Sequence, residues 1–254
     1  MADEIDINIG SFNLDETNNI AIADIDIKIA KAISQSALAK SHGSVIPIGK
    51  RQNVSVKVKG TIIGSNYDAL RTNLDNLKGA LEKDTEQNLT IDDDRKISVQ
   101  YSGFSYSYRT LRTFADFSFD LIASDPFWYD LTIDNDTRTP TSGVGYTVNN
   151  PGNAPTRCKV RLTNNSGGVV ADNIKLKNNT TGEEFQYRGT LADTKALVVN
   201  NRVDDEDQSV LNDGTDDIKN FEGDFITLDA GDNTIVYTGA ANVQVKIEFY
   251  PAYF

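Results

Sequence analysis

Residues 54–83 read VSVKVKGTIIGSNYDALRTNLDNLKGALEK, and a change of period inside this stretch decides the fold class. Val54, Val56 and Val58 alternate with Ser55 and Lys57, the period-two signature of a half-buried strand. Gly60 and Gly64 bracket the end of that strand. From Ser65 the period changes. Tyr67, Leu70, Leu74, Leu77 and Leu81 recur at three- and four-residue steps and make one apolar stripe. Ser65 stands where an N-cap belongs, with Asp68 three residues on as an imperfect capping box. The spacing predicts a helix over residues 66–83, with Arg71, Asn73, Asp75, Asn76 and Lys78 on its outer face. A stripe of this kind is a core face packed on a sheet, not a cofactor site.

Outward from this helix the chain reads as strands. Upstream, Ile5, Ile7 and Ile9 alternate with Asp6 and Asn8, and Ile20, Ile22, Ile25, Ile27 and Ile29 restore the pattern after the polar turn 13–19. Residues 30–43 break it: they are small and polar, and a long excursion inside a compact domain is more often interfacial than accidental. Downstream, Leu89 and Ile91 face Ile97, Val99 and Tyr101 across Asp92-Asp93-Asp94-Arg95, a hairpin. That triple aspartate lacks the glycine and the later glutamate of a calcium hand, so it reads as a solvated turn. Phe104, Tyr106 and Tyr108, then Phe117, Phe119 and Leu121, give two aromatic strands ending at Asp125-Pro126-Phe127-Trp128-Tyr129.

Thr, Asp, Gly and Pro dominate residues 132–147, which read as an interdomain linker. Beyond it, short apolar alternations recur between Asn/Gly-rich turns with no helical period, the pattern of an antiparallel β-sandwich. The expected organisation is therefore mainly β. Residues 1–133 form an amino-terminal β domain with one packed helix, and residues 140–254 form a carboxy-terminal sandwich.

Composition narrows the function classes. The chain has 254 residues, 39% hydrophobic and 24% charged, within the globular range. Its net charge is −12, with acidic excess in both halves. Such a surface repels phosphate backbones and anionic bilayers, so neither nucleic acid nor membrane is an expected partner. No stretch approaches the run of roughly 18 apolar residues needed to span a bilayer, and residues 1–20 lack the features of a secretory leader. Synthesis in a cytoplasm as a soluble protein is the expectation.

Catalytic chemistry has little to work with. His42 is the single histidine and Cys158 the single cysteine, so no tetrahedral site can be built from those two types. No base-plus-orienter pair for a nucleophile is evident, and no glycine-rich phosphate cradle. The acidic clusters 204–207 and 213–217 sit in a polar connection where hydration is the ordinary fate of carboxylates. A weak calcium site and a glycosidase-type pair are the alternatives there. The expectation is no enzyme, no cofactor and no metal.

Five segments together resemble the distal tail protein (Dit) family of siphovirus-type bacteriophages. They are the paired amino-terminal strands with a polar excursion ending Ser41-His42-Gly43-Ser44, the valine strand 54–58 with its leucine-striped helix, the aromatic element 125–129, the Asn-Pro-Gly-Asn-Ala-Pro stretch 150–155, and residues 223–235, similar to that family's F-x-L-x-x-G-x-N-x-I pattern. The resemblance implies an amino-terminal sheet or barrel domain that forms a hexameric ring, and a galectin-like second domain outside it. It further implies that the ring joins the tail tube protein to the tail-tip or baseplate hub, placing the chain at the distal end of a virion tail. Carried onto this sequence, the excursion spans residues 30–50, with Ile33, Leu38, His42 and Gly43 as ring-interface candidates. The last strand is expected to return to the first domain.

Phe127, Trp128 and Tyr129 read either as a buried domain junction, the favoured reading for large aromatics, or as an exposed partner anchor. Carbohydrate is the alternative ligand, with the chain as a binding module of a tail or adhesion apparatus. An exposed aromatic platform would have to come from Tyr146, Phe185, Tyr187, Phe221, Phe225, Tyr237 and Phe249, most at positions expected to face the core. A hydrolase and a tube-type ring protein are the remaining rivals.

Overall fold

A computed structural model describes residues 6–31, 36–37, 44–45, 51–92, 94–110, 112–168, 171–204 and 208–254. The chain divides into two compact units, residues 1–128 and residues 129–254.

In the first unit the elements are β1 (Ile7–Ile9), β2 (Phe12–Asn13), β3 (Ile20–Lys31), β4 (Ser36–Ala37), β5 (Ser44–Val45), β6 (Arg51–Ile63), α1 (Tyr67–Leu81), β7 (Gln87–Ile91), β8 (Arg95–Tyr108) and β9 (Phe114–Ala123). Strand order is β2-β1-β7-β8-β9-β6-β3, and β4 pairs separately with β5. β8 belongs to both wings: residues 95–99 pair with β7, residues 100–108 pair with β9, and a bulge between Tyr101 and Gly103 follows just after the change. An extra residue at such a point bends the strand and lets one chain serve two directions.

The valine pattern of β6 is read out as burial: Val54, Val56, Val58 and Ile62 are all within 1% of fully buried. Across the ladder they face Ala123, Leu121, Phe119 and Ala115 of β9. Gly60 faces Phe117, so the smallest residue makes room for a large ring. α1 lays its stripe on this face, with Leu70, Leu74, Leu77 and Leu81 buried. Burying each such leucine contributes about 1.5–3 kcal/mol, which dwarfs any single polar contact on the outer face.

The cap differs from the expected one. Asn66, with extended backbone, accepts the Ala69 N–H on its side chain at 2.9 Å. Ser65 lies one residue too early to reach the third amide of the helix. Tyr67 also leaves the stripe and is 41% exposed. The helix ends at Leu81, two residues short of the expected Lys83, where Gln87 Nε2 donates to the Ala80 carbonyl at 3.0 Å.

The opposite face of the sheet is an ion ladder. Lys59 meets Asp24 at 2.8 Å, Lys57 meets Asp120 at 3.5 Å, and Arg109 grips Asp116 through Nε and Nη2 while Thr61 donates to the same carboxylate. The Lys59 hydrogen bond and charge hold the Asp24 carboxyl below the usual range. These exposed pairs add little stability, but they fix which face is wet.

The second unit contains β10 (Trp128–Asp130), β11 (Asp134–Arg138), β12 (Gly145–Asn150), β13 (Thr156–Asn164), β14 (Ile174–Asn178), β15 (Glu184–Tyr187), β16 (Ala196–Asn200), β17 (Ser209–Asn212), β18 (Thr215–Asp216), β19 (Phe221–Gly223), β20 (Thr227–Leu228), β21 (Gly231–Thr238), β22 (Val243–Phe249) and β23 (Ala252–Tyr253). β10 begins on the last residue of the first unit. One sheet runs β11-β22-β13-β16-β17-β18 with β20 added to β13, and the other runs β12-β21-β14-β15-β19. Their inner faces share one core: Val160, Leu162, Leu197, Val245 and Ile247 from the first sheet meet Ile174, Leu176, Phe185, Tyr187, Ile235 and Tyr237 from the second. This is the expected sandwich.

The expected linker is not one. Residues 134–138 pair with β22 as β11, and residues 145–150 pair with β21 as β12. β11 is an edge strand of polar residues, mostly exposed, so it carries no apolar alternation to read. The last strand, β23, pairs with β10. Asp130 N–H donates to the Pro251 carbonyl at 3.0 Å, so the return of the chain end is secured at least in part inside the second unit.

Candidate assembly surfaces

The strongest surface feature of the first unit is the edge formed by β3. It pairs with β6 on one side, and no described strand lies on the other. Ile25, Ile27 and Ile29 stand opposite Val58, Val56 and Val54 on the apolar face. Their exposure rises outward: Ile25 is half-buried, Ile27 is 39% exposed and Ile29 is 51% exposed. Period-two isoleucines therefore continue past the part of the face that is covered. The excursion that follows starts at residue 32 and not at 30, because β3 continues through Lys31. Within it Ser36 pairs with Val45 and Ala37 with Ser44, so the chain doubles back as a short hairpin. The four ring-interface candidates, Ile33, Leu38, His42 and Gly43, lie outside the described residues.

A second surface was not singled out from sequence. Tyr67 of α1 and Phe104, Tyr106 and Tyr108 of β8 form a strip of rings with centroids 5.5–5.8 Å apart from one to the next. Tyr67, Tyr106 and Tyr108 are each more than 40% exposed. Lys78 Nζ sits 4.5 Å from the Tyr106 centroid, close enough for a cation–π contact. The available signal was the alternation of aromatics continuing to the end of β8.

At the division between the units, Phe127 is half-buried, Trp128 is 9% exposed and Tyr129 is 4% exposed. Phe127 N–H donates to Asp125 Oδ1 at 3.3 Å, an Asx-type turn that orients the element.

Among the described residues, Asp204, Asp213 and Asp217 of the two acidic segments have partners within the chain. Asp213 and Gly214, with φ of 51° and 80°, form the two-residue turn joining β17 to β18, the conformation that favours Asp-Gly. Asp213 pairs with Lys195 at 2.7 Å. Asp217 accepts hydrogen bonds from Tyr187 Oη at 2.5 Å and Asn220 Nδ2 at 2.8 Å. Burial, then the Asp217 contact, pushes the Tyr187 phenol up to about 12, and the same bond lowers the Asp217 carboxyl. Asp204 binds Arg202 Nε at 2.5 Å and accepts from Tyr250 Oη at 3.2 Å, while residues 205–207 lie outside the described residues. Among the described residues no cluster of three potential ligands converges on a metal position.

Nor is there a sugar platform among the aromatics named for it. Phe185, Tyr187, Tyr237 and Phe249 are buried, and Tyr146, Phe221 and Phe225 are only partly exposed against the same core. Cys158 is buried with Sγ 3.1 Å from the Ile226 carbonyl, and burial raises its thiol pKa. No described helix is long and apolar enough to cross a membrane.

Comparison with known proteins gives these surfaces a context. Residues 151–253 match the family described as "Siphovirus-type tail component, C-terminal domain". The crystal structure of SPP1 Dit (gp 19.1), described as a paradigm of hub adsorption apparatus in Gram-positive infecting phages, superposes with a TM-score of 0.75 at 14% identity, covering 97% of this chain and 98% of that one. A chain of the phage p2 baseplate in its activated conformation with Sr gives 0.53 at 10% identity, covering 96% and 97%. No curated protein matches the sequence. The family match lies within the second unit, and over nearly its whole length the chain shares the fold of SPP1 Dit.

Proposed function

We propose that the chain forms a hexameric ring that connects the tail tube to the tail-tip or baseplate hub, acting as structure and not as a catalyst. The observation that carries this reading is the edge of β3, whose isoleucines run bare toward the excursion at 32–50. A ring closed by a repeated head-to-tail contact needs one element that reaches outward and one that receives it. In this reading residues 1–128 are the ring-forming unit, Ile33, Leu38, His42 and Gly43 contribute to the interface, and residues 129–254 sit outside the ring. The tyrosine strip beside α1 is a further contact surface, since exposed tyrosines are enriched at interface hot spots.

Light scattering coupled to size-exclusion chromatography, with negative-stain imaging, tests the ring. The expected native particle is six-fold with a central channel. Deleting residues 33–41, or the double substitution Ile27→Lys and Ile29→Lys, is expected to give folded protein that no longer assembles. A native monomer at tens of micromolar, or intact rings from both variants, refutes the reading.

A further inference from the structure

β8 carries an extra residue beside the end of α1. Tyr101 faces Leu121 and Phe104 faces Phe119, two buried partners on the face of β9 that α1 covers. Residues three apart on an unbroken strand would point to opposite faces. The bulge between Tyr101 and Gly103 takes up the odd position and turns both rings to the same side. Tyr106 follows Phe104 at the ordinary two-residue step. These three rings, with Lys78 and Leu81 of α1 and Glu82 at its C-cap, line a cleft of about 300 Å³. That volume is at the small end of the range for ligand sites.

Two opposite charges border the cleft without cancelling. Lys78 and Glu82 are one helical turn apart, a spacing at which such side chains commonly pair. They do not pair here, because Glu82 has φ of −77° and ψ of 76° and its side chain leaves the helical track. The Glu82 carboxylate makes no hydrogen bond or ion pair with a described residue. Lys78 Nζ lies over the rings instead, 4.5 Å from the Tyr106 centroid and 5.9 Å from that of Phe104, with a loose 3.9 Å contact to Asp75. The Tyr101 phenol stands within electrostatic reach of Glu82: burial, then that carboxylate, raises its pKa.

This mixture of groups selects a ligand chemistry. An ionised carboxylate only accepts hydrogen bonds, an ammonium only donates them, and a phenol does both. A cationic ligand is repelled by Lys78 and an anionic one by Glu82. A wholly apolar ligand would strip water from both charges and put nothing in its place. The fitting ligand is neutral, rimmed by groups that both donate and accept, with an apolar face for the rings. A pyranose has that form. Its hydroxyls make the rim, and its axial C–H bonds, slightly positive, meet the negative face of an aromatic ring. Tyr106, 43% exposed, offers the ring, and Phe104, tilted 40° to it at 5.8 Å, forms the second wall.

We infer that this cleft between the end of α1 and the bulge of β8 is a binding site for a neutral sugar, one or two units of a glycan. The site lies within the first unit, uses the Phe104–Tyr106 end of the tyrosine strip, and does not rest on the ring. Sugar hydroxyls donate to Glu82 and accept from Lys78, and Tyr101 can do either. Since the ligand carries no charge, binding changes little as salt rises.

The test uses the full chain and saturation-transfer NMR titrations with maltohexaose, cellohexaose and chitohexaose, and with decaproline as the rival ligand for exposed tyrosines. The expected result is transfer to the ring C–H protons of at least one oligosaccharide, with affinity nearly independent of salt, and none to decaproline. Tyr106→Ala is expected to weaken binding about tenfold and Glu82→Gln about threefold. Both side chains are exposed, and thermal melting checks that each variant stays folded. Size-exclusion chromatography of the same samples reads assembly separately, so loss of sugar binding and loss of the ring are told apart. No transfer to any of the three oligosaccharides, parental affinity in either variant, or decaproline bound as tightly as the sugar overturns the assignment.

Discussion

Gly60 and Gly79 lie in the same unit, and replacing each by alanine should move stability in opposite directions. At Gly60 an added Cβ would lie 2.6 Å from the Ala21 carbonyl oxygen and 2.7 Å from Cζ of Phe117. Ordinary carbon contacts are about 3.5–4.0 Å, so the ring would have to retreat by roughly 1 Å. The carbonyl has less freedom, because β3 is paired to β6 on both sides of the bulge between Ile22 and Asp24. Overpacking of this kind costs about 1–3 kcal/mol. At Gly79, an exposed position near the end of α1, an added Cβ meets nothing within 4 Å. There alanine gains the helix-propensity difference, about 0.8–1 kcal/mol. Scanning calorimetry of the two variants and the parent at one protein concentration gives the comparison, with a fall of several degrees for Gly60→Ala and a rise of a few for Gly79→Ala. A Gly60→Ala protein melting at or above the parent refutes the packing described for β6, β9 and the bulge.

Asn66→Ala should destabilise by about 1 kcal/mol through loss of the cap, whereas Ser65→Ala should be near neutral, read by denaturant titration of helical ellipticity. The reverse order would restore Ser65 as the cap. Leu74→Ala should lower stability by about 2–5 kcal/mol, and a loss below about 1 kcal/mol by the same titration would place that leucine outside the core. Tyr187 is raised to about 12 in the folded chain, so the unfolded phenol ionises first. Its contribution is complete below about pH 10 and is lost as pH rises toward 12. Absorbance at alkaline pH should therefore show a late class of tyrosines that titrates with unfolding, and a single class near pH 10 would contradict this. Trp128, the sole tryptophan, should emit at short wavelength and resist quenching by acrylamide; a red-shifted emission that moves to the blue on adding a tail partner would favour the anchor reading.

Period carried most of the fold. Val54, Val56 and Val58 against Leu70, Leu74, Leu77 and Leu81 announced a helix laid on a sheet, because burial on one side imposes two different spacings on the two elements. The alternations after residue 155 announced the sandwich in the same way. What period does not carry is an element with no buried side. β11 is a strand by its backbone pairing to β22, and Asp134, Asn135, Asp136 and Thr137 give no sign of it. The cap was missed by one residue because Ser65 and Asn66 are both good capping types, and only the reach to Ala69 separates them. The assembly surfaces were legible in part. Isoleucine alternation marks β3 as a strand, yet whether Ile27 and Ile29 are covered depends on what packs above them.

The side of β3 on which no described strand lies also has a consequence for handling the free chain. Twelve residues of backbone on one border of a sheet form a template against which any extended segment can be read, native or foreign. Lys28, 71% exposed in its side chain, is a gatekeeper on that border, and the ion ladder keeps the reverse face soluble. Ile27 and Ile29, on either side of it, make the template sticky on the other face. Protein kept apart from its assembly partners therefore runs a race between correct closure and indiscriminate strand addition, and the outcome is set by concentration and time as much as by sequence.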